Sequence, residues 1–226
     1  MSKLYVVPTP IGNLEDITLR ALRVLKEADF ILAEDTRTTG KLLKHYEISN
    51  QLMSFHIHNE HKTVERVVDQ IKAAGSAAIV SDAGTPSISD PGFLLIRECI
   101  ANDIEVICLP GPSAIIPAIV GCGFPCDSFV FEGFLPHKKG RQTMWKTIAE
   151  EQKSVVLYES PHRLIKALKE MTEFLAEDRQ ICVAREISKI HETFHRGTAV
   201  ELLEYFEKNP PKGEIVIVIS AQKKRK

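Results

Sequence analysis

The feature that most constrains this chain is a recurrence. Short apolar runs alternate with helix-spaced segments, and nearly every run ends in a loop rich in Gly, Pro, Ser, Thr and charge. Runs of that length suit strands, and helices between them bring the chain back to the same end of a sheet, so the pattern predicts an α/β fold. Strands are expected at Leu4–Val7, Phe30–Ala33, Leu52–Phe55, Ala77–Val80 and Glu105–Leu109, then at Ser128–Phe131, Ser154–Tyr158, Gln180–Ala184 and Glu214–Ile219. A helix is expected over Thr63–Ile71, stopped by Gly75. A second spans Phe93–Ala101, opened by Asp90 as a capping carboxylate with Pro91 at the first helical position. Ser160-Pro161 opens a third, to about Leu175. Pro and Gly punctuate Pro110–Ala114, so an N-terminal α/β domain over 1–112 and a C-terminal one over 113–226 are expected, with a ligand between them.

Composition narrows the function. Apolar residues make up 44% and charged residues 26%, as in ordinary globular proteins. No apolar stretch is long enough to span a membrane, and the first residues lack an apolar leader, which points to the cytoplasm. The five cysteines are an odd set without zinc-type pairing and read as small buried hydrophobes. His56, His58 and His61 lie close together, but no acidic or Cys partners complete a metal site, so no metal is expected. A net charge of −1 excludes a wholly basic nucleic-acid face. Any RNA contact must then be local, with Pro136–Arg141 and the tail Lys223–Lys226 as candidates; the tail reads equally as a solvated end.

In open α/β sheets ligands collect beyond the carboxyl ends of strands. The first such loop, Pro8-Thr9-Pro10-Ile11-Gly12-Asn13, has one Gly and two prolines, so it is neither a dinucleotide fingerprint nor a P-loop. Asp35 and Arg37 follow the second strand and fit either substrate binding or a helix-capping ion pair. Asp82 leaves the fourth strand where it could hold a ligand hydroxyl or amine, or close an Asx turn, and Gly84 permits positive φ. Gly111 with Ser113-Ala114 leaves room for a flat ring, or marks a hinge with Ser113 as a cap. In the second half, His162 and Arg163 occupy a first helical turn suited to anions. Arg185, Glu186, Lys189, His191 and Glu192 crowd one loop, either as chemistry or as solvated charge, and Gly213 offers a ligand close approach to the backbone.

Taken together, YVVPTPIGN (5–13), EDTR (34–37), DAGTPSISDPG (82–92), PGPSA (110–114), GFLP (133–136), ESPHR (159–163), the 184–192 stretch and KGEIV (212–216) closely resemble the ribosomal-RNA branch of the tetrapyrrole-methylase superfamily, over nearly the whole chain. The resemblance implies two α/β domains, each a mixed sheet flanked by helices, with S-adenosylmethionine in the cleft between them and S-adenosylhomocysteine as product. It implies a homodimer that 2′-O-methylates a cytidine in the decoding region of 16S rRNA, met within the small ribosomal subunit. It places Pro8, Asp82, Ala83, Gly84, Thr85, Ser113, Ala114, Tyr158, Ala184, Gly213 and Glu214 around the donor. Tetrapyrrole-acting relatives carry a Gly-rich first loop, unlike the one here, which fits the RNA branch and leaves a tetrapyrrole or other small-molecule acceptor as the alternative reading. Relatives in this branch often carry further C-terminal sequence, so a shorter form is expected to make fewer RNA contacts.

Methyl transfer to a ribose hydroxyl needs in-line alignment and, for full rate, a proton acceptor. Position after strands nominates Glu159, Glu186 or Asp35 as base or orienting group. The same reasoning nominates Arg37, Arg163, Arg185 and Lys189 as phosphate contacts, with His162 beside them.

Overall fold

A computed structural model describes residues 1–56 and 60–222, without the side chains of 60–62. His58, the His61 side chain and the tail Lys223–Lys226 therefore lie outside the described residues. The chain divides into two compact units, Met1–Ser113 and Ala114–Lys226.

The first unit runs β1 (Lys3–Val6), α1 (Leu19–Glu27), β2 (Ile31–Ala33), α2 (Thr36–His45), β3 (Leu52–Ser54), α3 (Glu60–Ala74), β4 (Ser76–Val80), α4 (Phe93–Ala101) and β5 (Glu105–Cys108). Its sheet has the order β3-β2-β4-β1-β5. Every pair of these strands is parallel, where a mixed sheet was expected. Parallel strands need covered faces, and the alternation within each run supplies two apolar sides. Leu4, Val6, Leu32, Ala77 and Ile79 pack toward Val67, Ile71 and Leu95 of α3 and α4. Val7, Ile31, Ala33, Ala78 and Val80 pack toward Ala21, Val24, Leu25 and Leu43 of α1 and α2. Thr18 caps α1 by accepting from the Ala21 amide at 3.0 Å.

The second unit runs α5 (Ile115–Cys122), β6 (Phe129–Phe134), α6 (Arg141–Glu150), β7 (Ser154–Glu159), α7 (Pro161–Phe174), β8 (Ile181–Arg185), β9 (Thr193–Gly197), α8 (Ala199–Lys208) and β10 (Ile215–Ile219). The sheet order is β6-β7-β10-β8-β9. It is mixed: β6 and β7 are parallel, and the other pairs antiparallel. One face, with Val155, Leu157, Val183 and Ile217, packs on Trp145, Leu164, Leu168, Met171, Leu202 and Phe206 of α6, α7 and α8. α5 covers strands β8 to β10 from its own buried residues Ala118, Ile119 and Cys122. The Arg196 guanidinium caps the end of α5, donating to the Gly121 and Cys122 carbonyls. Strand β9 and helices α1, α2, α6 and α8 had no individual sequence expectation. Among the described residues no helix is long and apolar enough to cross a membrane.

Candidate active site

Parallel strands end at one edge of the sheet, and in the first unit the loops leaving β1, β4 and β5 are tied together there. Thr9 and Gly84 exchange two main-chain hydrogen bonds of 2.9 Å. Thr9 Oγ1 donates to the Ser81 carbonyl at 3.0 Å, and Thr85 Oγ1 donates to the Pro112 carbonyl at 3.2 Å. A Cβ at Gly111 would stand 2.8 Å from Pro8 Cβ. The room expected at Gly111 for a flat ring is thus filled by the buried Pro8. Gly84 uses its freedom at φ +81°. Ser87 and Ser89, at φ 73° and 63°, occupy the same left-handed region with side chains, so this loop holds strain.

The loop after β2 joins that edge. The Asp35 amide donates to Asp82 Oδ1 at 3.1 Å, and the Asp82 amide donates to Glu34 Oε2 at 3.4 Å. The Asp35 carboxylate caps α2, accepting from the Arg37 amide at 2.8 Å, and pairs with its guanidinium at 2.7 Å. Of the two readings of this pair, the capping one is what the geometry displays. The Arg37 contacts hold Asp35 down at about 2.

Asp90 does not cap α4. The Ser87 amide bonds the Pro91 carbonyl at 3.2 Å, closing a turn. That turn places Gly92, at φ 133° and with no side-chain cap, before the helix. Burial, then repulsion from Glu34, pushes Asp90 up to about 6, against a hydrogen bond from Ser81. Burial also raises Glu34 and Asp82. Desolvated carboxylates at a ligand edge disfavour polyphosphates and favour a cation or a hydrogen-bond donor. Beside them opens a cleft of about 220 Å³ between Thr9, Pro10, Leu14 and Ser81 on one side and Thr38, Lys41 and Leu42 of α2 on the other.

In the second unit, Ile215 lies opposite both Glu159 and Arg185, so β7 and β8 end where β10 begins. Residues drawn from three distant loops thereby share one edge. Glu159 is only 3% exposed. Its carboxylate meets Arg163 Nε at 2.7 Å, Arg141 Nη2 at 3.5 Å and the Ser160 amide at 2.8 Å. Glu170 Oε2 accepts from Arg141 Nε at 2.7 Å and from Trp145 Nε1 at 2.8 Å. Arg163 Nη1 also lies 3.3 Å from the His137 ring and 3.5 Å from the Leu135 carbonyl. A buried carboxylate needs such partners, and burial closes Glu159 to a substrate hydroxyl. The same pairing corrects two expectations of cationic contact. Arg141, read as part of an exposed basic stretch, is buried, and Arg163 is turned inward on Glu159.

Glu186 sits at φ 53°. Its Oε1 accepts from the Glu214 amide at 2.9 Å and from Lys189 Nζ at 2.8 Å, and Lys189 also reaches Glu214 Oε2 at 3.0 Å. Burial works to raise Glu186, but Lys189 and the Glu214 amide outweigh it, and the group is lowered. A Cβ at Gly213 would stand 2.2 Å from the Glu186 carboxyl carbon. The close approach expected there is taken by Glu186 rather than left for a ligand. Arg185 fastens the same turn, donating to Thr193 Oγ1 at 3.2 Å and to the Lys212 and His191 carbonyls at 3.3 and 3.1 Å.

The remaining expected residues are distributed as follows. Tyr158 packs edge-on against Phe131 at 5.1 Å. Ala184 is fully buried within the sheet. His162 is exposed in the first turn of α7, its amide donating to the Ser160 hydroxyl at 3.3 Å. Ala114, rather than Ser113, holds the capping position of α5, without a side-chain bond. Sequence reasoning missed the Arg141 partner of Glu159 with its neighbours Trp145 and Glu170, the burial of Asp90 and the cleft at Thr38 and Lys41. No local pattern announces a partnership across 29 residues such as Arg141 with Glu170.

Residues 3–203 match the family of tetrapyrrole (corrin/porphyrin) methylases. The ribosomal RNA small subunit methyltransferase I of Thermotoga maritima is 47% identical, over 98% of this chain and 100% of its own length. The protein of that name from Escherichia coli O157:H7 is 46% identical, over 98% of this chain and 78% of its own. Among solved structures, a uroporphyrin-III C-methyltransferase from Thermus thermophilus complexed with S-adenosylhomocysteine shares the fold. It has a TM-score of 0.67 at 16% identity, covering 96% of this chain and 97% of that one. A cobalt precorrin-4 methyltransferase does likewise, with TM-score 0.68 at 17% identity over 96% of this chain and 94% of that one. The chain belongs to the tetrapyrrole (corrin/porphyrin) methylases, within the group formed by the ribosomal RNA small subunit methyltransferase I proteins.

Proposed function

We propose that this protein is an S-adenosylmethionine-dependent methyltransferase that 2′-O-methylates a cytidine ribose of 16S ribosomal RNA. The observation that carries the reading is identity of 45–47% over nearly the whole chain to ribosomal RNA methyltransferases of diverse bacteria. The chemistry of the first unit's edge agrees with the donor. Glu34 and Asp90 suit a sulfonium and an amino group, and a phosphate-binding loop is lacking. Bound to the protein, the donor supplies a methyl group that is already electrophilic.

The main chain of Asp82–Thr85, Pro8 and Ser113-Ala114 is assigned to the donor, as are Tyr158, Ala184 and Gly213-Glu214. Stitching of the β1, β4 and β5 loops holds the first set in place before any ligand arrives. Alignment is then the protein's main contribution, worth roughly 7–11 kcal/mol where geometry is good. Asp35 and Glu186 are held low by their cationic partners, and a carboxylate so stabilised is a weak proton acceptor, while Glu159 is buried against Arg163 and Arg141. We therefore assign them orienting roles: Asp35 fixes α2, Glu159 fixes the ends of β6 and β7, and Glu186 fixes the turn to Lys189. Arg37, Lys189, Arg185, Arg163 and His162 remain assigned to the acceptor side, Arg163 and Arg185 through the loops they hold. The protein works in the cytoplasm as a homodimer on the small subunit.

The test is incubation with labelled donor and small subunits lacking the modification, followed by digestion to nucleosides. Labelled 2′-O-methylcytidine is expected. Label on another nucleoside, on a small molecule, or on nothing overturns the reading.

A further inference from the structure

The cleft on the first unit has a composition of its own. Its floor is two buried hydroxyl residues: Thr9, which donates to the Ser81 carbonyl, and Ser81, which faces the Gly84 carbonyl and Asp90. Those bonds leave the hydroxyl oxygens as acceptors. Pro10, Leu14 and Leu42 make apolar walls, and the Leu14 carbonyl is pinned by the Tyr46 hydroxyl at 2.5 Å. The rim is polar: Thr38, Lys41 and Asp82.

A volume of about 220 Å³ admits one planar heterocycle with its sugar edge and little more. Apolar walls suit the faces of a ring, and acceptors at floor and rim suit its exocyclic donors. Asp82 accepts from the Asp35 amide through one oxygen, and its carboxylate lines the cleft. Lys41 is the cation of the lining and suits a single phosphate. Carboxylates read the amino group of cytosine, which donates where uracil accepts. Carboxylates at the edge of an RNA-binding surface repel the backbone, so they fit where a base, not a phosphate, is received.

We propose that this cleft receives the target base of the acceptor RNA, unstacked from its neighbours, with the Asp82 carboxylate accepting from an exocyclic amino group and Lys41 on the adjacent phosphate. The inference rests on the RNA-methyltransferase reading above and names the residues that select the base. Adenine of the methyl donor also carries an amino group, and the experiment separates the two occupants.

Three proteins are compared on small subunits carrying either cytidine or uridine at the target position, with S-adenosylhomocysteine binding followed by calorimetry. Wild type is expected to prefer cytidine by about 10- to 100-fold, the worth of one good base contact. Asp82→Asn presents an amide that also donates, and is expected to bring the two substrates within a few-fold. Thr38→Trp fills the cleft from an exposed position on α2. It is expected to raise KM for the subunit at least tenfold while leaving S-adenosylhomocysteine affinity within twofold. Loss of S-adenosylhomocysteine binding in Thr38→Trp would hand the cleft to the donor and overturn the proposal. Unchanged cytidine preference in Asp82→Asn overturns it too, as does unchanged KM in Thr38→Trp. Wild type that methylates neither subunit defeats the RNA reading itself.

Discussion

At the scale of single residues, conformation and charge each carry one measurable consequence. Gly213 combines φ +82° with a neighbour, Glu186, standing where a Cβ would go. Gly213→Ala is expected to cost about 1–3 kcal/mol of stability, measured by urea unfolding through the fluorescence of Trp145, the chain's single tryptophan. Asp90 yields a pH dependence. Its folded value of about 6 lies above its ordinary 3.8, so between those limits the folded protein binds more protons than the unfolded chain. Stability from this group is therefore full below 3.8 and falls as pH rises to about 6. Asp90→Asn is expected to flatten that part of the melting-temperature profile and to melt higher than wild type at pH 8. An unchanged slope in the variant would exclude Asp90 as its source.

At the scale of elements, the ends of β6 and β7 and the start of α6 and α7 are joined by buried ions as well as by apolar contact. Glu159 sits between Arg141 and Arg163, and Glu170 with Trp145 extends the set from Arg141. Removing one charge from a buried set leaves another without compensation. Glu159→Gln is expected to lose about 3–5 kcal/mol, again by urea unfolding. Activity of the folded fraction reports separately whether loop position has moved. The helix caps have smaller effects. Thr198 and Glu201 form a reciprocal capping box on α8, and Thr198→Ala is expected to cost about 1 kcal/mol, with little change in methylation.

At the scale of the whole molecule, charge sets how RNA is held. The net charge is −1, and Arg141, Arg163, Arg185 and Lys189 spend their charge on internal carboxylates and carbonyls. The other basic side chains are balanced by 30 acidic ones, so contact with phosphate is local. Binding of a 16S rRNA fragment, followed by filter retention against salt, is expected to give a log–log slope of about −2 to −4, or roughly three to six phosphates. A slope beyond about −6 would mean that much of the surface charge engages RNA and that the local picture is wrong.

The α/β class, most strand positions and the loops that carry the chemistry were legible in the sequence, because period-two apolar runs and Gly/Pro punctuation are local signals. Thr63–Ile71 and Ser160-Pro161 announced their helices for the same reason. Asp90-Pro91 misled, because an equally local turn from Ser87 competes with the cap and tertiary burial decides between them. Family membership was legible from the order of eight short motifs, and the matching relatives bear it out. Only the tertiary structure decided which charges meet. Glu159 finds Arg141 across a strand and a helix, Gly213 finds Glu186, and Pro8 fills Gly111. Those pairings depend on sheet order, in which β1 lies between β4 and β5 and β10 between β7 and β8. Sheet order is set by how distant segments pack, which no single stretch of sequence encodes.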